Sequence, residues 1–385
     1  MEEHLISVVL PTYNGEKYIC ESVNSILSQT YENWELIIVD DCSTDKTLQI
    51  AASYAENDKR IKVLHNDVNC KLPQALNVGF SETRGGLLTW TSDDNRFLPN
   101  AFEIMSQFFI EHNDVHMLCA NMYEIDADGT RRREIIYADE GKLCIENSIG
   151  ACFMYTRDVY EKIGNYDINL FCVEDYDYWI RIKKNYGEIT RIPDILYEYR
   201  IHGESLSGIK RQFINRQLLR LRKKHLEYLL QSFAHDKTLL FHMYMELLDM
   251  GCDDVFFTSI AQYIPELKYE TGVDSNRKKF IIFGAGDYGE RAWAVLQDKV
   301  FCFVDNDRNK VGSIRKGLQV KAFEELLYLA DEYYVMVAVS SSYGYEILKQ
   351  LSKNGITNYC TYQYYMWRNV YGICKERATD NFRNR

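Results

Sequence analysis

The stretch GGLLTWTSDDNRFLPN, residues 85–100, runs an apolar segment, Leu87 to Trp90, straight into Asp93, Asp94 and Asn95 before Pro99 ends it. A strand end crowded with oxygen ligands is a poor core but suits a hard divalent cation, which prefers oxygen donors. Mg²⁺ or Mn²⁺ takes one or two protein carboxylates and completes its shell with phosphate oxygens and water. Two adjacent carboxylates also repel, and a cation relieves that repulsion. On a strict strand neighbours face opposite ways, so one of the pair reaches a metal while the other reaches a sugar hydroxyl. A solvated acidic loop is the competing reading of this stretch taken alone.

Three more places carry chemistry. In IIVDDCSTD, residues 37–45, a carboxylate at a strand end can accept from a base or ribose without being buried unpaired. Asp41, Ser43 and Asp45 are equally good helix N-caps. In CVEDYDYWIRI, residues 172–182, Trp179 follows Asp175 by four positions and shares its helix face. A carboxylate beside an aromatic platform suits a sugar hydroxyl that must lose its proton while its ring is held flat. Asp177 is the alternative base, and an acidic first helical turn is the plain reading of Glu174, Asp175 and Asp177 together. His202 stands in YRIHGES, residues 199–205; a lone histidine is usually a surface or satisfied core residue.

These residues need elements to position them. From residue 1 to about 115, strand-like runs such as ISVVLPTYN, WELIIVDDCSTD, IKVLHND and GLLTWTSDD alternate with helix-like ones. That alternation predicts a mainly parallel sheet with helices on both faces. Ligands collect at the carboxyl ends of such strands, where PTYN, DDCSTD and SDDN all fall. Residues 116–204 are less regular, and 205 to about 270 read as helical. A second strand–helix alternation starts at KKFIIFGAGDYGERAWAVL and runs to about residue 365. The polar segment TGVDSNRKK, 271–279, is the expected boundary before it.

Composition sets limits. A chain of 385 residues predicts two or three compact units, and 46% apolar residues allow each a core. A net charge of −11 argues against general affinity for nucleic acid. Eleven cysteines without a C-x-x-C pair, behind no secretory leader, predict free thiols and a cytoplasmic protein. No run reaches the ~18 apolar residues of a membrane-spanning helix.

In this order, the motifs SVVLPTYNGEKYICESVNSILSQTYENWELIIVDDCSTDKT, LPQALNVGF, TWTSDDNRFLPN, EDYDYWIRI and YRIHGESLS resemble the family 2 glycosyltransferases of GT-A fold, over residues 5–207. The resemblance implies inverting transfer of a sugar from a nucleotide-diphosphate donor, a UDP-sugar, to a saccharide or lipid-linked acceptor in surface polysaccharide synthesis. It implies that Pro11, Thr12 and Tyr13 line the nucleoside pocket, that Asp41 accepts from the base, and that Asp93 approaches the ribose. Asp94 would ligate Mn²⁺ or Mg²⁺, Asp175 would be the general base with Glu174 and Trp179 at the acceptor, and His202 would lie near the diphosphate or metal. The chain departs from the family's D-x-D-D at Ser92 and Asn95, and Cys42 replaces the usual glycine. An arginine common in relatives is missing from LPQALN, which leaves Lys71 as the phosphate contact.

Seven Lys or Arg and no acid lie between Ser205 and Leu226, with Ile214, Leu218, Leu221 and Leu229 at helical spacing. This amphipathic basic helix suits peripheral contact with an anionic bilayer through 205–226, or a solvated face. Beyond it, Gly284, Gly286 and Gly289 form G-x-G-x-x-G between strand and helix, and Asp305 closes the next strand 21 residues after Gly284. This is a Rossmann-like pattern able to hold a nucleotide or to serve helix–strand packing. Tyr345 and Lys349 match the Y-x-x-x-K of short-chain dehydrogenases only in spacing. The expected organisation is a GT-A domain (1–207), a helical connector (208–277) and a Rossmann-like α/β domain with a tail (278–385). The rivals are a non-catalytic nucleotide-binding scaffold and an NAD-dependent enzyme.

Overall fold

The structure is a computed structural model that describes residues 4–137, 143, 146–203, 211–272 and 279–371. The chain forms two compact units, Met1–Lys224 and His225–Arg385. Most of the expected boundary at 271–279 lies outside the described residues.

In the first unit, strands β1 (Ile6–Thr12), β2 (Trp34–Asp40), β3 (Ile61–His65) and β4 (Leu87–Trp90) are all parallel, in the order β3-β2-β1-β4. Every residue of β1 and β2 is buried, as central strands covered on both faces require. Helix α1 (Ile19–Leu27) buries Ile19, Val23 and Ile26, a single stripe at helical spacing. Helices α2 (Thr47–Asn57) and α3 (Leu72–Ser81) follow β2 and β3. Pro73 fits the first turn of α3, where its missing N–H costs no hydrogen bond. Because β1, β2 and β4 run parallel, the loops after them open on one edge of the sheet, as the alternation predicts.

The remainder of this sheet is mixed. After β5 (Arg96–Phe97) and α4 (Ala101–Glu111) come β6 (Met117–Ile125), β7 (Arg131–Ile135), β8 (Phe153–Thr156) and β9 (Thr190–Arg200). Strand β8 is antiparallel to both β4 and β6, and β9 is parallel to β6 and antiparallel to β5. Short strands and irregular register hid this half from periodicity. Its consequence is positional: Arg96 pairs with Glu198, so the end of β9 returns to the turn that follows β4. Helices α5 (Arg157–Ile163) and α6 (Glu174–Tyr186) lie between β8 and β9 in sequence.

The second unit is built on β12-β13-β11-β10-β14-β15, parallel except for the β12–β13 pair. Here β10 is Phe280–Phe283, β11 Val300–Val304, β12 Ile314–Arg315, β13 Leu318–Lys321, β14 Tyr334–Val337 and β15 Tyr359–Thr361. The units divide inside the helix Arg211–Ser232, so the helices Lys237–Asp249 and Asp254–Ala261 belong with this second sheet. Side chains tie them there. Phe241 packs so closely on the helix Ser341–Lys353 that a Cβ at Gly344 would lie 2.4 Å from its ring. Trp367 Nε1 donates to the Cys252 carbonyl at 2.6 Å, and the Tyr359 hydroxyl to that of Glu266 at 2.9 Å.

Glu270 is completely buried in this unit, where it accepts from the Tyr244 hydroxyl and from the Thr361 N–H. Burial pushes its carboxyl up to about 7. A raised carboxyl keeps its proton when folded and releases it when unfolded. The stabilisation is therefore full below the unfolded value of 4.5 and is lost as pH rises through about 7. Glu270→Gln, which mimics the protonated acid, should flatten the fall in melting temperature between these pH values. The slope removed corresponds to roughly 3 kcal/mol. An unchanged slope would mean that Glu270 does not titrate in that window.

Candidate active site

Four residues singled out in the sequence converge where the loops after β1, β4 and β9 meet. The Thr12 hydroxyl donates to Asp93 Oδ2 at 2.5 Å. Asp94 turns the other way, with Oδ2 3.0 Å from His202 Nε2. Asp94 Oδ1 is buried with no partner. Burial first, and the Asp94 charge second, push the Asp93 carboxyl up to about 7. The loop must come close to do this: a Cβ on Gly15 would lie 2.0 Å from Asp93 Oδ2. Pro11 is buried in β1 and Tyr13 is 49% exposed beside the site.

What holds the Asp94–His202 pair was not legible in the motif. Arg200 is 1% exposed, and its guanidinium ties the surrounding loops together. Its Nε donates to the Asp94 carbonyl at 2.8 Å, Nη1 to the carbonyls of Asp126 (3.2 Å) and Ala127 (3.0 Å), and Nη2 to Glu21 Oε2 at 2.7 Å. The guanidinium also lies over the Tyr18 ring, 4.5 Å from its centroid, and the same ring meets His202 at 5.1 Å. Asn95 is buried and accepts the Arg200 N–H at 2.8 Å through Oδ1. The departure at Asn95 is thus a structural bond to β9. Ser92 contributes its backbone carbonyl, which accepts from the Ser22 hydroxyl at 3.0 Å.

Asp41 is buried, and both its oxygens organise the loop after β3. Oδ1 accepts from Asn66 Nδ2 (2.8 Å) and the Cys70 N–H (2.9 Å), and Oδ2 from the Lys71 N–H (2.8 Å). One lone pair of Oδ2 remains for a base. Cys42 and Lys71 both have positive φ, +68° and +74°. Glycine would adopt such a positive φ without strain, whereas an L-residue there costs about 1–3 kcal/mol. The Lys71 side chain is exposed.

At the start of α6, Asp175 Oδ2 accepts from Asn147 Nδ2 at 2.8 Å and Oδ1 from the Tyr176 N–H at 2.7 Å. Burial raises its carboxyl. Its neighbour Glu174 is buried with Oε2 unpartnered, and burial together with the Asp175 charge pushes it up to about 8. Two expectations need correction. Trp179 is fully buried, edge-on to Phe153 at 4.5 Å, so its ring offers no face to an acceptor. Sharing a helix face with Asp175 placed it in the core, because that face packs on the sheet. Glu174 likewise is 3% exposed and meets no acceptor directly. Asp177 is fully buried between Arg181 Nε (2.8 Å) and Lys224 Nζ (2.7 Å), an anchoring pair rather than a solvent-facing base.

A divalent cation fits the Asp94 end. An anionic oxygen buried without a partner is costly, and a carboxylate beside an imidazole nitrogen is a suitable donor set. Among the described residues no group of three or more His, Cys, Asp or Glu could hold a metal. Such a site therefore depends on phosphate oxygens, as Mg²⁺ sites commonly do.

The basic helix is less available than its charge implies. Residues 204–210 lie outside the described ones. Arg222 is 1% exposed, and Lys224 is spent on Asp167 and Asp177. Among the described residues no helix is long and apolar enough to cross a membrane.

In the second unit the glycines serve packing first. A Cβ on Gly289 would lie 1.9 Å from the Gly284 carbonyl, and one on Gly284 would lie 2.4 Å from that of Ala338; Gly286 faces open space. Asp305 is occupied: Oδ2 accepts from the Ala285 N–H (2.8 Å) and Lys310 Nζ (3.2 Å), and Oδ1 from the Asp307 N–H (2.9 Å). The amide of Ala285, inside the glycine loop, is thus turned to Asp305. Tyr345 is 9% exposed, and Lys349 is paired with Glu346, which does not favour hydride chemistry there.

Comparison with known proteins agrees with this layout. The family described as glycosyl transferase family 2 matches residues 7–165, and the one described as C2185-like, N-terminal, matches 276–361. TuaG of Bacillus subtilis, described as a glycosyltransferase of teichuronic acid biosynthesis, is 30% identical over 211 residues, 54% of this chain and 82% of its own. Among solved structures, residues 1–349 of S. aureus TarS with UDP-GlcNAc are similar with TM-score 0.52 and 20% identity, over 68% of this chain and 82% of that one. The mannosyltransferase PcManGT of Pyrobaculum calidifontis with GDP-Man and Mn²⁺ is similar with TM-score 0.50 and 14% identity, over 71% and 77%. The two structures establish the likeness of fold, a GT-A glycosyltransferase sheet.

Proposed function

The chain belongs to glycosyl transferase family 2 and is a glycosyltransferase, and on that premise we propose that it inverts configuration while moving a hexose from a UDP-sugar to a saccharide or lipid-linked saccharide acceptor. Polysaccharide biosynthesis is the setting of its relative TuaG, and TarS binds UDP-GlcNAc. The observation that carries the reading is the Asp94 carboxylate, with one oxygen facing His202 and the other buried and unpartnered.

Thr12 and Asp93 meet the ribose, Asp41 offers its remaining lone pair to the base, and Lys71 reaches towards phosphate. Asp94 and His202 would hold Mn²⁺ or Mg²⁺, which when bound supplies positive charge to the leaving diphosphate. The acceptor oxygen attacks the anomeric carbon as the bond to the diphosphate breaks. Asp175 takes the hydroxyl proton, and the bonding electron pair leaves with the nucleoside diphosphate. One displacement inverts the configuration without a covalent intermediate.

The test is UDP release from a panel of UDP-sugars with Mn²⁺, followed by calorimetry with UDP, GDP and NAD. Release confined to one donor supports the reading. UDP binding without turnover on any acceptor favours a scaffold, and binding of NAD alone would overturn the proposal.

A further inference from the structure

Asn147 belongs to no motif, yet among the described residues its side chain is the one hydrogen-bonded to the proposed base. Its Nδ2 donates to Asp175 Oδ2 at 2.8 Å, from a segment joining β7 to β8 in sequence. The residues that follow Asn147 are clamped. The Ser148 carbonyl accepts from Arg191 Nη2 at 2.8 Å. Gly150, with φ +81°, lies so close to Tyr137 that a Cβ there would be 2.5 Å from the ring. The Tyr137 N–H is in turn bound by Asn121 Oδ1 at 3.1 Å, on β6. Asn147 is therefore presented by a backbone pinned to two strands.

We propose that Asn147 is a positioning residue for the proton-transfer step: its amide fixes the Asp175 carboxylate through Oδ2 and favours its ionised form. The inference rests on the reading of Asp175 as general base. An amide N–H donates more strongly to an ionised carboxylate oxygen than to a protonated one, so the bond favours both an orientation and a protonation state. Burial opposes ionisation, and the groups around the carboxylate are Glu174 on the same helix, Tyr137 in the segment after β7, and Tyr166 in the loop before α6. Burial pushes Glu174 up to about 8 and Tyr137 up to about 12, and holds Tyr166 well above its ordinary value. These three neighbours are consequently neutral near pH 7 and bring no positive charge. The Tyr176 N–H and the Asn147 amide supply the hydrogen bonds that favour the ionised base.

The test uses the full chain labelled with ¹³C at the aspartate carboxyl carbons, with Asp175→Asn identifying the Asp175 resonance. In Asn147→Ala the Asp175 titration midpoint should move to higher pH than in wild type. Asn147→Ser, which keeps a hydroxyl donor, should return part of the way and gives the same reading if the alanine variant does not fold. With a donor that releases UDP, the acidic limb of kcat/KM should move upward in parallel and kcat should fall roughly tenfold or more, with the donor KM unchanged. A titration midpoint identical in wild type and both variants would overturn the inference. Turnover near the wild-type rate in Asp175→Asn would instead overturn the base reading, whatever the titration shows.

Discussion

Replacing Asp94 by Ala should lower sugar transfer by roughly 10³-fold or more, the scale expected when a group that stabilises the leaving charge is removed. Its side chain presents one oxygen to His202 and buries the other without a partner, so little folding energy is tied to it. The turn itself is held by other atoms. Arg200 grips the Asp94 carbonyl, and Asn95 grips the Arg200 N–H, and neither bond uses the carboxylate. The melting temperature should therefore change little. The measurements are the rate of UDP release with Mn²⁺ and the affinity for Mn²⁺ read by electron paramagnetic resonance. Full activity in the variant would sink the assignment of Asp94 to the cation and diphosphate.

Asp175→Asn should separate binding from turnover. UDP affinity measured by calorimetry should match wild type, while kcat falls by roughly 10²- to 10⁴-fold, the usual contribution of a positioned base. The variant is nearly isosteric, and its side-chain oxygen can still accept from the Tyr176 N–H or from Asn147 Nδ2. Neighbouring Asp177 offers no substitute, because it is fully buried and Arg181 and Lys224 occupy its oxygens. Turnover near the wild-type rate would show that the acceptor proton leaves by another route.

Much of the first half of the fold was legible. The alternation of apolar runs with amphipathic helices from Ile6 to Trp90 became four parallel strands in the order β3-β2-β1-β4. The acidic clusters fell on one edge because parallel strands end on one side. The segment after residue 116 was harder to read, since β8 and β5 have four and two residues. Runs that short carry no measurable period. Trp179 was misplaced for a related reason: helical spacing says which residues share a face, but not whether that face meets solvent or sheet.

The sequence by itself determined the chemistry at the strand ends: which side chains are carboxylates, that Asp93 and Asp94 follow an apolar strand, and that Asp175 opens a helix. Those features are local, written within a few residues by strand and helix periods and by side-chain type. Only the tertiary structure decided which of these groups are held ready. Arg200 reaches Asp94 across 106 positions and Glu21 across 179, while Asn147 reaches Asp175 across 28. Such pairings depend on how strands are ordered in the sheet, and no local pattern encodes that order. The same limit explains Asn95, which looked like a lost ligand and proved to be the bond that joins β9 to the turn.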